Sequence, residues 1–292
     1  PHHFEASAVS ELPIAHEIDA VVCATSPRAH AAVIADALDA GKHVLGDKPL
    51  AVGAEECERL AALASDRGLA LCAVLNFQFA RSVMRARRAV ERGKLGRTRA
   101  VWAMQLSNPR RRLPEWYDDL PLGLFYDESP NLILLARAFA PAALEPLSAT
   151  VVPSTTGSGN TPAHVSAQMR AGDVPVSIQM SFEAPLSEWH VLVLGEHGFA
   201  SIDLFRDIVV MGPNDGRHEA GQVARTSLAA TLSHWRGYLR SGTGHVSGRL
   251  RYGADEVYRR FHDAVHGRPA PGIAAADALA IARVQDWVVD SA

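Results

Sequence analysis

Over the first hundred residues, continuous apolar runs alternate with amphipathic stretches. Ala20 to Ala24 is uninterrupted and rich in β-branched residues, the pattern of a strand covered on both faces of a parallel sheet. Pro27 and Arg28 open a helix that runs through Ala29 to Ala40, with Ala32, Val33, Ala37 and Leu38 along its apolar face, and Gly41 ends it. His43 to Leu45 reads as the next buried strand. A second unit follows, with a helix over Glu55 to Asp66, a closing Gly68 and an apolar strand from Leu69 to Leu75. Ahead of these, Phe4 is expected to end a short strand and Ser7 to Ile14 to form a small helix. Strands alternating with helices of this length imply a parallel sheet with right-handed crossovers.

After an arginine-rich helix at Ser82 to Arg92 and a longer strand at Thr98 to Leu106, the pattern changes. Asn108 to Gly123 is irregular, Leu124 to Phe139 is helical up to Pro141, and Ser154 to Asn160 is a loop of small residues. A meander follows: Val165 to Met169 and Val174 to Phe182 flank Ala171-Gly172-Asp173. Trp189 to Leu194 and Ala200 to Leu204 flank Gly195 to Gly198, and Ile208 to Met211 comes next. Helices at Leu228 to Arg240, Ala254 to His266 and Ala274 to Val289 finish the chain. The fold class is thus α/β, a parallel part joined to an α+β part with a large, mainly antiparallel sheet.

Composition narrows the chemistry only a little. The 292 residues are 48% hydrophobic and 21% charged with a net charge of -3, which gives no reason to invoke nucleic acid or an anionic membrane as partner. No apolar run approaches the roughly 18 residues of a spanning helix, no signal peptide is recognisable, and a cytoplasmic location is expected. Cys23, Cys57 and Cys72 lack zinc spacing and read as buried thiols of a reducing compartment. His234, His245, His262 and His266 form no metal-ligand constellation, so no metal is expected. Lysine is scarce: only Lys42, Lys48 and Lys94. Lys48 falls where the strand His43 to Leu45 ends, and open α/β sheets bind ligands beyond the carboxyl ends of their strands.

Gly41-Lys-His-Val-Leu-Gly-Asp-Lys-Pro49, preceded by Ala24-Thr25-Ser26-Pro27 and His30, resembles the Gfo/Idh/MocA oxidoreductases, relatives of glucose–fructose oxidoreductase and inositol 2-dehydrogenase. The resemblance continues through Gly93-Lys-Leu-Gly96, Leu120-Pro-Leu-Gly123, Asp127, Gly195-Glu-His-Gly198 with Asp203, and the closing helix. It implies the C-terminal part of a Rossmann-type dinucleotide-binding domain at residues 1–78 and a substrate-binding and oligomerisation domain at 79–292. NAD or NADP is the implied cofactor, and a sugar- or polyol-like small molecule the implied substrate. A homo-oligomer built through the open sheet is the implied assembly.

By the same resemblance Lys48 would polarise the reacting oxygen during hydride transfer. Asp127 and Asn131 would complete the catalytic set. Thr25, Ser26, Pro27, His30, Asp47, Lys48, Pro49 and Asn76 would lie along the cofactor, and Trp116, Tyr126 and Gln78 along the substrate. Read on its residues alone, Lys48 is a solvated turn lysine, His30 a satisfied structural histidine, and the run Arg110-Arg111-Arg112 a solvated face.

Three departures from the family pattern matter. The first strand and its Gly-x-Gly-x-x-Gly turn are not found, roughly 60 residues judged from the size of two βαβ units. A truncated chain with an exposed sheet edge and weak cofactor binding is therefore expected. Asp47 stands where the family has glutamate. Asn131 stands four residues after Asp127, where the family has histidine; asparagine can hold a hydrogen bond but cannot take a proton. Lys48, Asp127 or Tyr126 would then take it. Three functions stay open: an NAD(P)-dependent dehydrogenase, a non-catalytic binder of a sugar-like ligand or partner, and a lyase or hydrolase that oxidises its substrate transiently.

Overall fold

The computed structural model describes residues 18–292, apart from 112, 114, 157–158, 215 and 249. The elements expected around Phe4 and from Ser7 to Ile14 lie outside the described residues, as do Arg112 and Pro114. Strands β1 (Ala20–Cys23), β2 (His43–Gly46) and β3 (Leu71–Ala73) form a parallel sheet in the order β1-β2-β3, with helices α1 (Pro27–Asp39) and α2 (Ala54–Asp66) between them. Each helix turns its apolar stripe inward: Ile34, Ala37 and Leu38 of α1 and Cys57, Leu60 and Ala64 of α2 are buried. Of the apolar run Leu69–Leu75 only three residues are strand. Its outer edge is met by a distant segment, with Ala73 N–H donating to Ile273 O at 2.7 Å and Cys72 bridging Ala274.

Helix α3 (Arg81–Glu91) leads into β4 (Thr98–Leu106), the strand on which the second sheet is built. Helix α4 (Leu124–Arg137) follows, then β5 (Glu145–Val152), β6 (His164–Ala171), β7 (Val174–Ser181), β8 (Glu188–Gly195), β9 (Gly198–Asp203) and β10 (Ile208–Pro213). The strand order is β10-β9-β8-β4-β7-β6-β5, antiparallel except where β4 lies parallel to β7. Strand β5 has no counterpart in the expected elements. It is an edge strand, and most of its residues, from Glu145 to Ser148 and on to Val152, are exposed, so no alternating apolar pattern marks it.

One face of this sheet packs on α3 and α4. The other carries Trp102 and Met104 of β4, in register with Leu192 and His190 of β8, all at least partly exposed. Among the described residues, only the β10 end of that face is roofed. Helix α5 (Ala220–Val246), twice the length expected, crosses it: Gly237 lies so close to Ile208 that a Cβ there would stand 2.9 Å from its Cγ2. Helices α6 (Ala254–Val265) and α7 (Ala275–Asp290) then carry the chain back, α7 packing on α2, α4 and β3.

Helix α4 sits between the two sheets and is buried almost from end to end. It tolerates Pro130 in its interior because the lost bond is replaced. Proline has no N–H for the carbonyl four residues back, and that carbonyl, of Tyr126, instead accepts Gln285 Nε2–H from α7 at 2.7 Å.

Candidate active site

Strand β2 ends at Gly46, where a Cβ would stand 2.7 Å from Leu50 Cδ1 and 3.0 Å from Ile34 Cδ1, so any side chain just where the chain turns would have to displace these two buried ones. In the turn, Asp47 N–H donates to Cys23 O at 2.9 Å, and Asp47 Oδ1 accepts the Lys48 N–H at 2.7 Å. The Lys48 side chain then crosses to α4, where Nζ donates to Asp127 Oδ1 at 2.5 Å and to Asp127 O at 2.8 Å. Both side chains are about four-fifths buried, 21% and 18% exposed, which strengthens the pair relative to one in open water. Asn131 is one helical turn further along, with its Oδ1 buried and without a hydrogen-bond partner among the described residues. An unpaired buried acceptor is costly, and a donor brought by a ligand would satisfy it.

Beside this centre, Thr25, Ser26 and Pro27 make the turn from β1 into α1, Thr25 exposed and Ser26 forming no side-chain cap. Arg28 reaches out of α1 to the 3-10 turn Glu115–Asp119, its Nε donating to Asp119 O at 2.9 Å. That bond fastens the turn bearing the half-buried Trp116 to the start of α1. The structure thus brings together Lys48, Asp127 and Asn131, with the Thr25–Pro27 turn and the Trp116 turn tied together through Arg28.

Four expected site residues are placed differently. His30 is 1% exposed, with Nδ1 2.7 Å from Pro49 O and Nε2 3.0 Å from Thr25 O. It clamps the two turns from beneath instead of facing a ligand. Tyr126, about 100° round α4 from Asp127, is turned to other partners: its hydroxyl accepts Gly53 N–H at 2.6 Å and donates to Asp286 Oδ1 at 3.1 Å. Burial pushes its phenol well above the usual range, so it is neither a substrate contact nor a proton acceptor for Lys48. Gln78 is buried, its Nε2 bound to Leu75 O and Gly272 O, and Asn76 Nδ2 donates to Tyr252 O at 3.2 Å. Both polar strand-end groups are spent on anchoring the C-terminal segment to the first sheet.

The sequence reasoning missed a second carboxylate. Glu128, next to Asp127, is buried, and its Oε1 pairs with Arg111 while its Oε2 accepts Gln105 Nε2 and, at 3.2 Å, Ser107 Oγ. Arg111 is therefore held from behind, not part of a solvated face. The only sequence signal was the adjacency of two acids on one helix, which places them on different sides and lets each hold one cation. The three cysteines are buried and free; burial lifts Cys57 to about 11 and Cys72 to about 12, as expected of inert interior thiols. Among the described residues no group of side chains could hold a metal ion, and no helix is long and apolar enough to cross a membrane.

Comparison with known proteins places the N-terminal quarter beside a known family. Residues 2–74 match the Gfo/Idh/MocA family model, described as an oxidoreductase family with an NAD-binding Rossmann fold. Over 127 residues the chain is 31% identical to the 1-carboxy-3-chloro-3,4-dihydroxycyclohexa-1,5-diene dehydrogenase of Comamonas testosteroni, covering 42% of this chain and 32% of that enzyme. Over 94 residues it is 37% identical to the dTDP-3,4-didehydro-2,6-dideoxy-alpha-D-glucose 3-reductase of Streptomyces violaceoruber, covering 32% of this chain and 28% of that one. The matches thus span about a third or less of these relatives' own length.

In fold, the chain is similar to the WlbA dehydrogenase of Bordetella pertussis, solved with NADH and UDP-GlcNAcA, at a TM-score of 0.75 and 17% identity over 97% of this chain and 80% of that one. The GenD2 structure from gentamicin A biosynthesis, solved with NAD, gives 0.73 and 20% over 98% and 78%. The resemblance to the Gfo/Idh/MocA oxidoreductases therefore holds in sequence over the N-terminal quarter, and nearly the whole chain shares the fold of these two solved structures.

Proposed function

We propose that this chain is the catalytic part of an NAD(P)-dependent oxidoreductase acting on a carbohydrate-like secondary alcohol or its ketone. The observation that carries the reading is the Lys48–Asp127 pair, 2.5 Å long, which joins the turn after β2 to the helix under the second sheet. A nicotinamide cofactor, when bound, supplies or removes the hydride. The residues in hand fit its nicotinamide end: the Thr25–Pro27 turn, with Thr25 exposed, and the Lys48–Pro49 turn lie at the carboxyl ends of β1 and β2. No glycine precedes β1, so they do not include a glycine-rich turn for the pyrophosphate.

Lys48 spends two of its three donors on Asp127, which leaves one to donate to a substrate oxygen and to stabilise alkoxide as it forms. Asp127 fixes the ammonium and can accept the proton that passes through it. Asn131 offers its buried oxygen to a substrate hydroxyl but relays no proton. Trp116 walls the substrate side. Residues 1–78 supply the cofactor side of the cleft and 79–292 the substrate side. A second copy laid against the open face of the large sheet would cover Trp102, Met104 and Leu192.

The test is turnover with sugar and polyol alcohols under either nicotinamide cofactor, followed by the cofactor's absorbance. Lys48→Met should lower kcat by about 10²-fold or more in protein that far-UV circular dichroism shows to be folded, with some stability lost because Asp127 is left unpaired. Equal turnover in the variant would overturn the role of Lys48. The unprotonatable Asn131 favours one second reading, a family member that binds a sugar-like ligand without oxidising it. Ligand binding with no cofactor reduction in the parent protein or in Asn131→His would select it.

A further inference from the structure

Helix α5 carries small residues on one side and large apolar ones on the opposite side, and its own fold covers only the first. The inner side, Thr226, Ala230, Ser233, Gly237 and Ser241, is made of small residues that let the helix lie close on β10, with Gly237 against Ile208 and Ser233 Oγ 3.5 Å from Val209 O. Directly opposite stand Leu228, Leu232, Trp235 and Leu239, exposed to 62%, 46%, 57% and 70%. A helix with large apolar side chains on the side away from its own core is one that another polypeptide buries. The spacing of four, three and four residues is that of a two-helix seam, so the surface is shaped for a second helix.

The stripe is also a palindrome. A twofold axis passing between Leu232 and Trp235 maps Leu228 onto Leu239 of an antiparallel copy and Leu232 onto Trp235. The polar residues obey the same symmetry. Arg236 comes opposite Thr231, Arg240 opposite Ser227, Arg225 opposite Gly242, and the bulky Tyr238, whose ring meets Trp235 edge-on, opposite Ala229. No arginine faces an arginine, although the helix carries three and no acid. A parallel pair fails this test, because Arg225 continues the seam one heptad before Leu232 and would meet itself. Self-complementarity about a twofold is the requirement of an isologous interface.

We infer that α5 pairs with α5 of a second copy of this chain, antiparallel, through Leu228, Leu232, Trp235 and Leu239. This contact is separate from any formed by the open sheet face and needs neither cofactor nor substrate.

Sedimentation velocity on the full chain tests it. The double variant Leu228→Glu/Leu239→Glu should halve the particle mass seen for the parent, while far-UV circular dichroism stays the same. An unchanged mass, or a parent that is monomeric, would overturn the proposal. A cross-link tests the direction without adding charge. The pair Leu228→Cys/Leu239→Cys should give a disulfide-linked dimer on mild oxidation, and either substitution alone should not, since equivalent positions then lie about 16 Å apart along the seam. The native cysteines are buried and do not interfere. Cross-linking of a single variant, or none in the double, would also overturn it.

Discussion

At the scale of single residues, the site turns on which polar groups are spent on the fold and which are left for a ligand. Tyr126, His30, Gln78 and Asn76 are spent, each tied to a backbone group. Tyr126→Phe should therefore cost about 1–3 kcal/mol of stability, by leaving the Gly53 N–H without its acceptor, and leave kcat close to that of the parent. Chemical denaturation alongside a turnover assay separates the two effects; a collapse of kcat at unchanged stability would return Tyr126 to the catalytic set. Asn131 is the opposite case, a buried oxygen with nothing to accept from. Asn131→Leu should leave the folded state as stable as the parent or more so, because it removes that unpaired acceptor, and should weaken binding of a hydroxylated ligand. Calorimetry of unfolding and of ligand binding reads both.

At the scale of elements, α4 decides most. Its sequence holds two adjacent acids, and the fold sends Asp127 to Lys48 and Glu128 to Arg111. Removing one partner of the second pair, as in Glu128→Leu, strands Arg111, whose Nε already lacks a partner, and should cost about 3–5 kcal/mol. In α6, hydrogen bonds from Arg259 and then Arg260 hold the Glu256 carboxyl at about 2, below its usual 4.5. A carboxyl lowered by folding contributes stability that is full above its unfolded value and lost as pH falls toward 2. Melting temperature should thus decline from pH 5 to pH 2, and Glu256→Gln should flatten part of that decline.

Element identity was legible wherever an apolar run marks it: β1, α1, β2 and the meander from β6 to β10 follow, although β1 is an edge strand among the described residues, with Val22 54% exposed instead of covered on both faces. Strand β5 was not, because an exposed edge strand carries no alternation, and neither was the first half of α5, whose inner stripe is Thr226 and Ala230 instead of large apolar residues. Of the candidate site, Lys48 was legible from its strand-end position together with the resemblance, and Asp127 and Asn131 from the resemblance, their four-residue spacing putting both on one face of α4. The roles of Tyr126 and Gln78 depend on Asp286 and Gly272, some 160 and 194 residues away, which no local pattern reports.

At the scale of the molecule, the open face of the large sheet from β9 to β5 measures about 24 Å by 26 Å, six strands at about 4.8 Å and eight residues at about 3.3 Å. That projected patch, on the order of 600 Å², approaches the roughly 800 Å² per partner of a standard interface. Trp102→Glu, at the middle of it, should lower the assembly state by a contact independent of α5, so the two variants combined should sediment as the smallest species.

The return of α7 also has a consequence in time. The outer edge of β3 is closed by Ile273 and Ala274, and the N-terminus of α2 by Asp286, whose Oδ2 accepts Ala54 N–H at 2.6 Å. A ribosome working at about 5–20 residues per second reaches those positions some 10–40 s after β3 has been made. For that interval the first sheet waits with one edge unfilled, and its final locking follows the synthesis of α7.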